Sequence, residues 1–300
     1  SWLYKRGFRA RYRSPLPVIV VGNLTVGGAG KTPLVLALIE ALRARGWEPG
    51  VISRGHGAAL AGAVLLPEAP SAVAHGDEPS LIRLRAQVPV AIARRRAEAA
   101  RLLEAQGEVD LLIADDGLQH YALDRDLELL LIDGRRGFGN GALLPAGPLR
   151  EPVARGRRCD FRIRNGGVAD EGEWPLVLRP SVLRSLASDA PETPLEPAEL
   201  AGQRVHAVAG IGDPARFFAT LRALGMVPVE HAFPDHHAYV AADLQFAEVL
   251  PVVMTEKDAV KCAGFAPPRS YALRVDAELP ASLFDAIDAR LRALPRTPYA

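Results

Sequence analysis

Gly27-Gly28-Ala29-Gly30-Lys31-Thr32 sets a flexible backbone, one ammonium and one hydroxyl in the order that holds a nucleoside triphosphate. Glycine lets consecutive backbone N–H groups curl around an anion, and a helix starting where the turn ends adds its positive dipole end. Lys31 is placed to reach the β- and γ-phosphates, and the Thr32 hydroxyl to hold Mg²⁺. The strict form of such a loop has glycine where this chain has Thr25. The apolar run before the loop and the helical pattern after it still supply the required setting. Further on, the apolar run 109–114 ends in Asp115 and Asp116. An acid at the end of a strand neighbouring a phosphate loop binds Mg²⁺ directly or through water. Successive side chains at a strand end point different ways, so the two do different jobs. Asp116 is expected closer to the metal and Asp115 as a second contact, with Asp133, after Leu129-Leu130-Leu131-Ile132, a weaker competitor.

His75-Gly76-Asp77-Glu78-Pro79-Ser80 is a second acidic cluster. An acid before proline and a helical run suits a helix N-terminus. Asp77 also suits the carboxylate that a kinase needs to accept the acceptor hydroxyl's proton. Phe233-Pro234-Asp235-His236-His237-Ala238-Tyr239 gathers two of the seven histidines beside an acid and a phenol. Adjacent histidines project to different sides, so the segment reads either as a polar turn or as one histidine orienting a catalytic carboxylate. Thr255-Glu256-Lys257-Asp258 ends another apolar strand, as a turn or as a site element. Residues 134–152 are rich in glycine and proline, and so long an irregular segment is more often functional than idle.

These groups need a scaffold, and the patterning predicts one. Strands are expected at 17–22, 49–53, 88–92, 109–114 and 127–132, with helices at 32–45, 79–86 and 94–106. Alternating strands and helices argue for an α/β fold: a P-loop NTPase-like, mostly parallel sheet with helices on both faces. A second α/β stretch is predicted with strands at 175–179, 204–209, 226–231 and 251–254 and helices at 214–224 and 241–249. The expected division is a basic, aromatic segment at 1–14, a P-loop core at 15–165 and a smaller α/β domain at 166–300 that closes over the site. The 300 residues are ample for two cores, and their net charge is +1. Cys159 and Cys262 have no C-x-x-C spacing, so neither a disulfide framework nor a structural zinc site is expected, and a reducing cytoplasm fits. No apolar run approaches bilayer length and no secretory signal stands out. Residues 1–14 carry five cations and no acid, interleaved with Trp2, Tyr4, Phe8 and Tyr12. That mixture suits an anionic membrane surface, although a solvated tail or a nucleic-acid contact has the same composition. The near-neutral remainder argues against nucleic acid, and no feature demands an obligate protein partner.

Taken together, residues 21–33, Ser53-Arg54-Gly55, residues 75–79, Asp115-Asp116-Gly117-Leu118-Gln119-His120 and residues 144–151 resemble the tetraacyldisaccharide 4'-kinase family, the lipid A kinases. So do residues 233–237 and 255–258, and Thr25 fits that family's own version of the loop. The resemblance covers nearly the whole chain. It implies transfer of the γ-phosphate of ATP to the 4'-hydroxyl of an acylated glucosamine disaccharide 1-phosphate. It also implies a peripheral enzyme on the cytoplasmic face of a bacterial inner membrane. By this likeness Asp77 is the base, paired with His236, and Asp115 and Asp116 serve Mg²⁺. Glu151 lies near metal and nucleotide. Gly27 to Thr32 cradle the phosphates, while Arg150 and the loop around Asn140 are candidates for holding the anionic sugar phosphate. The alternative is a P-loop GTPase or metallochaperone-like nucleotide switch. It would want a guanine-reading N-K-x-D motif, which Thr255-Glu256-Lys257-Asp258 resembles only superficially.

Overall fold

All five residues of β1 (Val18–Gly22) are buried, and they alternate between two cores. Ile19 and Val21 pack into one, Val18 and Val20 into the other. The same alternation runs through β5 (Leu111–Ala114) and β6 (Leu127–Asp133), as the two-residue period of a strand requires. A sheet apolar on both faces must be covered on both. On one face lies α1 (Lys31–Arg43), with Leu34, Leu38 and Leu42 at four-residue spacing, beside α7 (Ala281–Arg292). On the other lies α4 (Arg96–Gln106), through Ala99, Ala100 and Leu103.

The computed structural model describes residues 11–56, 60–187 and 193–295. It divides into two units, one of Ser1–Pro70, Ile82–Leu178 and Ala277–Ala300, the other of Ser71–Leu81 and Arg179–Asp276. In the first unit the strands run β3-β4-β2-β5-β1-β6-β7-β8, where β2 is Pro49–Ser53, β3 Val64–Leu65, β4 Val90–Ile92, β7 Phe161–Asn165 and β8 Glu173–Ser185, whose part from Arg179 onward belongs to the second unit. Pairing there is parallel except between β3 and β4. Val20 of β1 pairs with Ala114 of β5, so the turns after both strands leave from the same edge of the sheet. In open parallel sheets this carboxyl edge is where ligands bind.

The second unit holds α2 (Ala72–His75), the start of α3 (Asp77–Ala86), β9 (Arg204–Ala209), α5 (Pro214–Ala223), β10 (Val227–Ala232), β11 (Val252–Thr255), α6 (Glu256–Cys262) and most of β12 (Ser270–Glu278). Its strands β10, β9, β11 and β12 pair in parallel. Phe217, Phe218 and Leu221 of α5 cover one face, and Ala259 and Cys262 of α6 the other.

The helix predicted over 241–249 is a single 3₁₀ turn, Ala241–Leu244. Only Leu244 of that turn is buried and Val249 is 92% exposed, so a longer helix would have no apolar face to bury. Pro251 further disfavours helical backbone at the residue before it. Tyr12 and Arg13 are tied to the first unit: the Tyr12 hydroxyl donates to Glu104, and Arg13 lies 2.5 Å from Asp126. The rest of the basic segment, residues 1–10, lies outside the described residues.

A stability prediction follows from the turn after β6. A Cβ on Gly134 would come within 1.8 Å of the Gly166 carbonyl oxygen, a backbone atom that cannot swing aside. Gly134→Ala is expected to destabilise the protein by about 3 kcal/mol, read as a lower midpoint of chemical denaturation with an unchanged slope.

Candidate active site

The loop after β1 has the geometry of an anion cradle. Gly27 and Gly30 sit at φ 99° and 93°, which side-chain-bearing residues rarely adopt. A Cβ on Gly30 would also meet the Asn165 amide at 2.7 Å, so glycine is required there twice over. No side chain caps the start of α1, which leaves its first-turn N–H groups facing the loop. Around the loop, Asn165 donates to the Ala29 carbonyl (2.8 Å) and Arg136 to that of Gly28 (3.3 Å). The Val26 amide donates to Pro148 (2.9 Å) and the Arg150 amide to Leu24 (2.7 Å), tying the loop to the glycine-rich segment.

Lys31, the first residue of α1, points its ammonium at the Asn23 side-chain oxygen (3.3 Å) and at Asp116 (3.6 Å). Arg150 reaches both oxygens of Asp116 through Nη1, at 3.1 and 2.9 Å. Burial alone would raise the Asp116 carboxyl, but the charges of Lys31 and Arg150 outweigh it and hold the group below its ordinary range. Asp116 sits at φ 45°, a left-handed conformation that a non-glycine residue keeps only when its surroundings impose it. Here the restraint is Arg96, 5% exposed, which donates to the carbonyls of both Asp115 and Asp116 at 2.8 Å. Asp115 is itself 1% exposed, so Asp116 is the one that faces Lys31. Asp133, the weaker competitor, caps its own turn by accepting from the amides of Arg135 (2.9 Å) and Arg136 (3.2 Å). Glu151 accepts from Gln119 (3.3 Å) and from the Tyr121 hydroxyl, and Gln119 also donates to the Asn23 carbonyl (3.2 Å). Asn140 is engaged within its own loop, donating to Ala146 (3.0 Å) and accepting from Ala142 (3.1 Å).

These residues fit a phosphate chain with Mg²⁺. Among the described residues no three His, Cys, Asp or Glu side chains form a ready-made metal cage. Mg²⁺ beside a nucleotide needs none, because one or two carboxylates and the phosphates complete its shell.

His120 belongs to the scaffold of this site. Its Nε2 accepts the Arg96 amide at 3.3 Å, so the imidazole must be neutral there. Burial, then the charges of Arg96, Arg125 and Arg54, pushes its pKa down to about 4. A histidine depressed in the fold contributes stability that is complete above its unfolded value of roughly 6.5 and is lost as pH falls. The expected NMR titration midpoint of His120 is therefore near 4. Thermal stability should fall between pH 6.5 and 4, less steeply in His120→Gln.

The second unit carries a separate constellation. Asp77, the first residue of α3 and 6% exposed, accepts from the Glu78 amide at 3.0 Å and meets His236 Nδ1 at 3.1 Å with its other oxygen. Helix-end and catalytic readings of Asp77 are thus compatible. His236 sits at φ 61°, a second non-glycine residue held in the left-handed region. Lys257 Nζ lies 3.5 Å from His236 Nε2, 3.7 Å from Asp77, 3.1 Å from Glu78 and 3.8 Å from Asp235. Burial works against its charge, but Glu78, Asp77 and Asp235 overcome this and raise its pKa, so it stays an ammonium. His236 thus bridges the two groups, with Nδ1 toward Asp77 and Nε2 toward the ammonium. His237 turns elsewhere, to Asp243 at 3.0 Å and onto the Phe233 ring.

Thr255-Glu256-Lys257-Asp258 is a helix start with a site lysine inside it. Thr255 caps α6, and the fully buried Asp258 carboxylate accepts from Thr255 (2.7 Å) and the Gly210 amide (3.0 Å). A carboxylate this deeply buried is closed to a guanine base.

A lysine-bearing phosphate loop facing a strand-end aspartate, at the carboxyl edge of a parallel sheet, defines a P-loop NTPase-like nucleotide-binding core. Residues 1–292 match the family described as tetraacyldisaccharide-1-P 4'-kinase. The chain is 50% identical to the tetraacyldisaccharide 4'-kinase of Stenotrophomonas maltophilia, over 97% of this chain and 88% of that protein. It is 52% identical to that of Aeromonas hydrophila, over 97% and 87%. The crystal structure of LpxK from Aquifex aeolicus in complex with ATP superposes with a TM-score of 0.80, at 31% identity, covering 97% of this chain and 93% of that one. This chain belongs to the tetraacyldisaccharide 4'-kinase family.

Proposed function

We propose that this protein is an ATP-dependent kinase that moves the γ-phosphate of ATP to the 4'-hydroxyl of tetraacyldisaccharide 1-phosphate, a step of lipid A biosynthesis. The observation that carries the reading is the Asp77–His236 pair at 3.1 Å in a chain that also has the phosphate loop. A nucleotide switch needs no proton acceptor for a sugar hydroxyl, whereas a kinase does.

The phosphate-binding groups of this reading belong to the first unit and its proton acceptor to the second. Backbone N–H groups of Gly27, Gly28, Ala29 and Gly30 hold the phosphates, and Lys31 neutralises charge on the transferred group. Thr32 and Asp116 would hold Mg²⁺, with Asp115 behind them and Glu151 nearby, and the ion when bound would supply charge neutralisation to the phosphates. Asp77 takes the 4'-hydroxyl proton as the new O–P bond forms and the bond to the β-phosphate breaks. His236 holds Asp77 in the orientation that reaction needs. Arg150, whose Nη1 is held by Asp116, offers its remaining edge to the anionic sugar phosphate beside the loop of Asn140.

The acceptor is a lipid, which supports peripheral contact with the cytoplasmic face of the inner membrane through the basic, aromatic start of the chain. No helix of the described residues is long and apolar enough to cross a membrane. The test is transfer of labelled γ-phosphate to tetraacyldisaccharide 1-phosphate in mixed micelles, with ATP against GTP. Label in the lipid from ATP supports the kinase. Tight nucleotide binding without lipid labelling overturns it in favour of the switch.

A further inference from the structure

In the first unit a cavity of about 280 Å³ has in its lining none of the groups assigned above to the phosphates, the metal or the proton, although its wall residue Tyr121 donates to Glu151. Four arginines, Arg11, Arg125, Arg155 and Arg158, line it against two carboxylates, Asp124 and Glu128. Glu128 is shared by Arg125, at 3.1 Å, and Arg155. Both guanidinium groups are fixed in the wall: Arg125 donates to the carbonyls of Leu118 and His120, and Arg155 to the Tyr121 hydroxyl at 3.1 Å. Their side chains are 11% and 8% exposed, so solvent screens them poorly. Arg11 stands 3.8 Å from Asp124. Arg158 is exposed and has no acid within salt-bridge distance among the described residues. Arginines outnumber carboxylates around this concave wall, so it focuses positive potential that its own acids leave uncompensated.

We infer that this cavity is a second anion site, separate from the phosphate loop, that takes a phosphate group carried by a lipid head or by a soluble molecule. Guanidinium forks match phosphate oxygens in charge and geometry. Arg158 makes the direct contact at the rim, with Arg11 beside it, while Arg125 and Arg155 supply the fixed field behind. The volume is at the small end for a ligand pocket and suits one phosphate-bearing head better than a whole nucleotide. The site stands whether or not the kinase reading does.

The experiment uses the full chain with its phosphate loop saturated by ADP and Mg²⁺. It is titrated with glycerol 1-phosphate and, in parallel, mixed with phosphatidylglycerol or phosphatidylcholine vesicles at fixed ionic strength. Arg158→Glu is expected to weaken at least one anionic probe about tenfold, while Arg158→Lys keeps most of the affinity. A loss confined to phosphatidylglycerol vesicles identifies a lipid head, and a loss with glycerol 1-phosphate a soluble phosphate. Unchanged ADP affinity in both variants certifies the fold. Equal binding of both anionic probes by wild type and Arg158→Glu, or no binding by wild type, would overturn the site.

Discussion

Asp77→Asn is expected to lower kcat for phosphoryl transfer by about 10²–10⁴ and to leave ATP affinity nearly unchanged. The substitution keeps the shape of the side chain and an oxygen for the Glu78 amide, which Asp77 now accepts at 3.0 Å. What it removes is the capacity to take a proton. A structural role for Asp77 would instead show as lost stability with parallel loss of nucleotide binding. His236 supplies the internal control, because it is 3.1 Å from Asp77 and on the proposed mechanism acts through it. His236→Ala should cost less, on the order of 10-fold to 100-fold, since the carboxylate remains. The double variant should be no slower than Asp77→Asn alone, because the histidine has nothing left to orient. Additive losses in single-turnover rates would show that His236 works on the substrate directly.

Much of the scaffold is legible in the chain because its signals are local. The run 17–22, the glycine turn and the leucines of α1 each carry their own period, and the parallel sheet follows from strands alternating with helices. β7 went unpredicted although Phe161, Ile163 and Asn165 alternate inward, because arginines at 162 and 164 make so short a run look polar. β12 and α7 were likewise missed. The latter turns Leu283, Phe284, Ile287 and Leu291 to the core, a helical pattern present in the sequence. Residues 241–249 show the converse: a stretch expected to be helical stays a single 3₁₀ turn because it has no apolar face to bury.

At the candidate site, types and spacing named the principal groups but not their partners. Nothing local couples Lys31 to Asn23, or Arg96 to the carbonyls of Asp115 and Asp116. Arg96 reads in the sequence as one of three consecutive cations, and only the fold buries it and aims it at a strained turn. Lys257 has no role legible in its own motif, since Glu78 and Asp77 lie far away in sequence. The left-handed residues of the candidate sites, Asp116 and His236, are invisible to propensity for the same reason: tertiary contacts impose them.

Lys31→Met should reduce kcat/KM for ATP-dependent transfer by about 10³, roughly 4 kcal/mol of transition-state stabilisation, with a much smaller loss of ADP affinity. The asymmetry arises because the backbone cradle survives the change, while the cation that meets charge growing on the transferred group does not. Methionine keeps the length of the side chain, so the loop retains its packing. Lys31→Arg should fail to rescue. The ammonium is 10% exposed and sits 3.3 Å from Asn23 and 3.6 Å from Asp116, where a planar guanidinium fork cannot replace a compact point charge. Asp116 provides an independent readout. Lys31 and Arg150 hold its carboxyl below the ordinary range against the effect of burial, so removing one cation must raise it. Stability that depends on ionised Asp116 is present at neutral pH and lost as pH falls through its folded pKa. In Lys31→Met that loss should begin at higher pH than in wild type, and denaturation midpoints measured between pH 7 and 4 would reveal it. Equal acid sensitivity in the two proteins would mean that Arg150 alone holds Asp116 charged, and that Lys31 does not tune it.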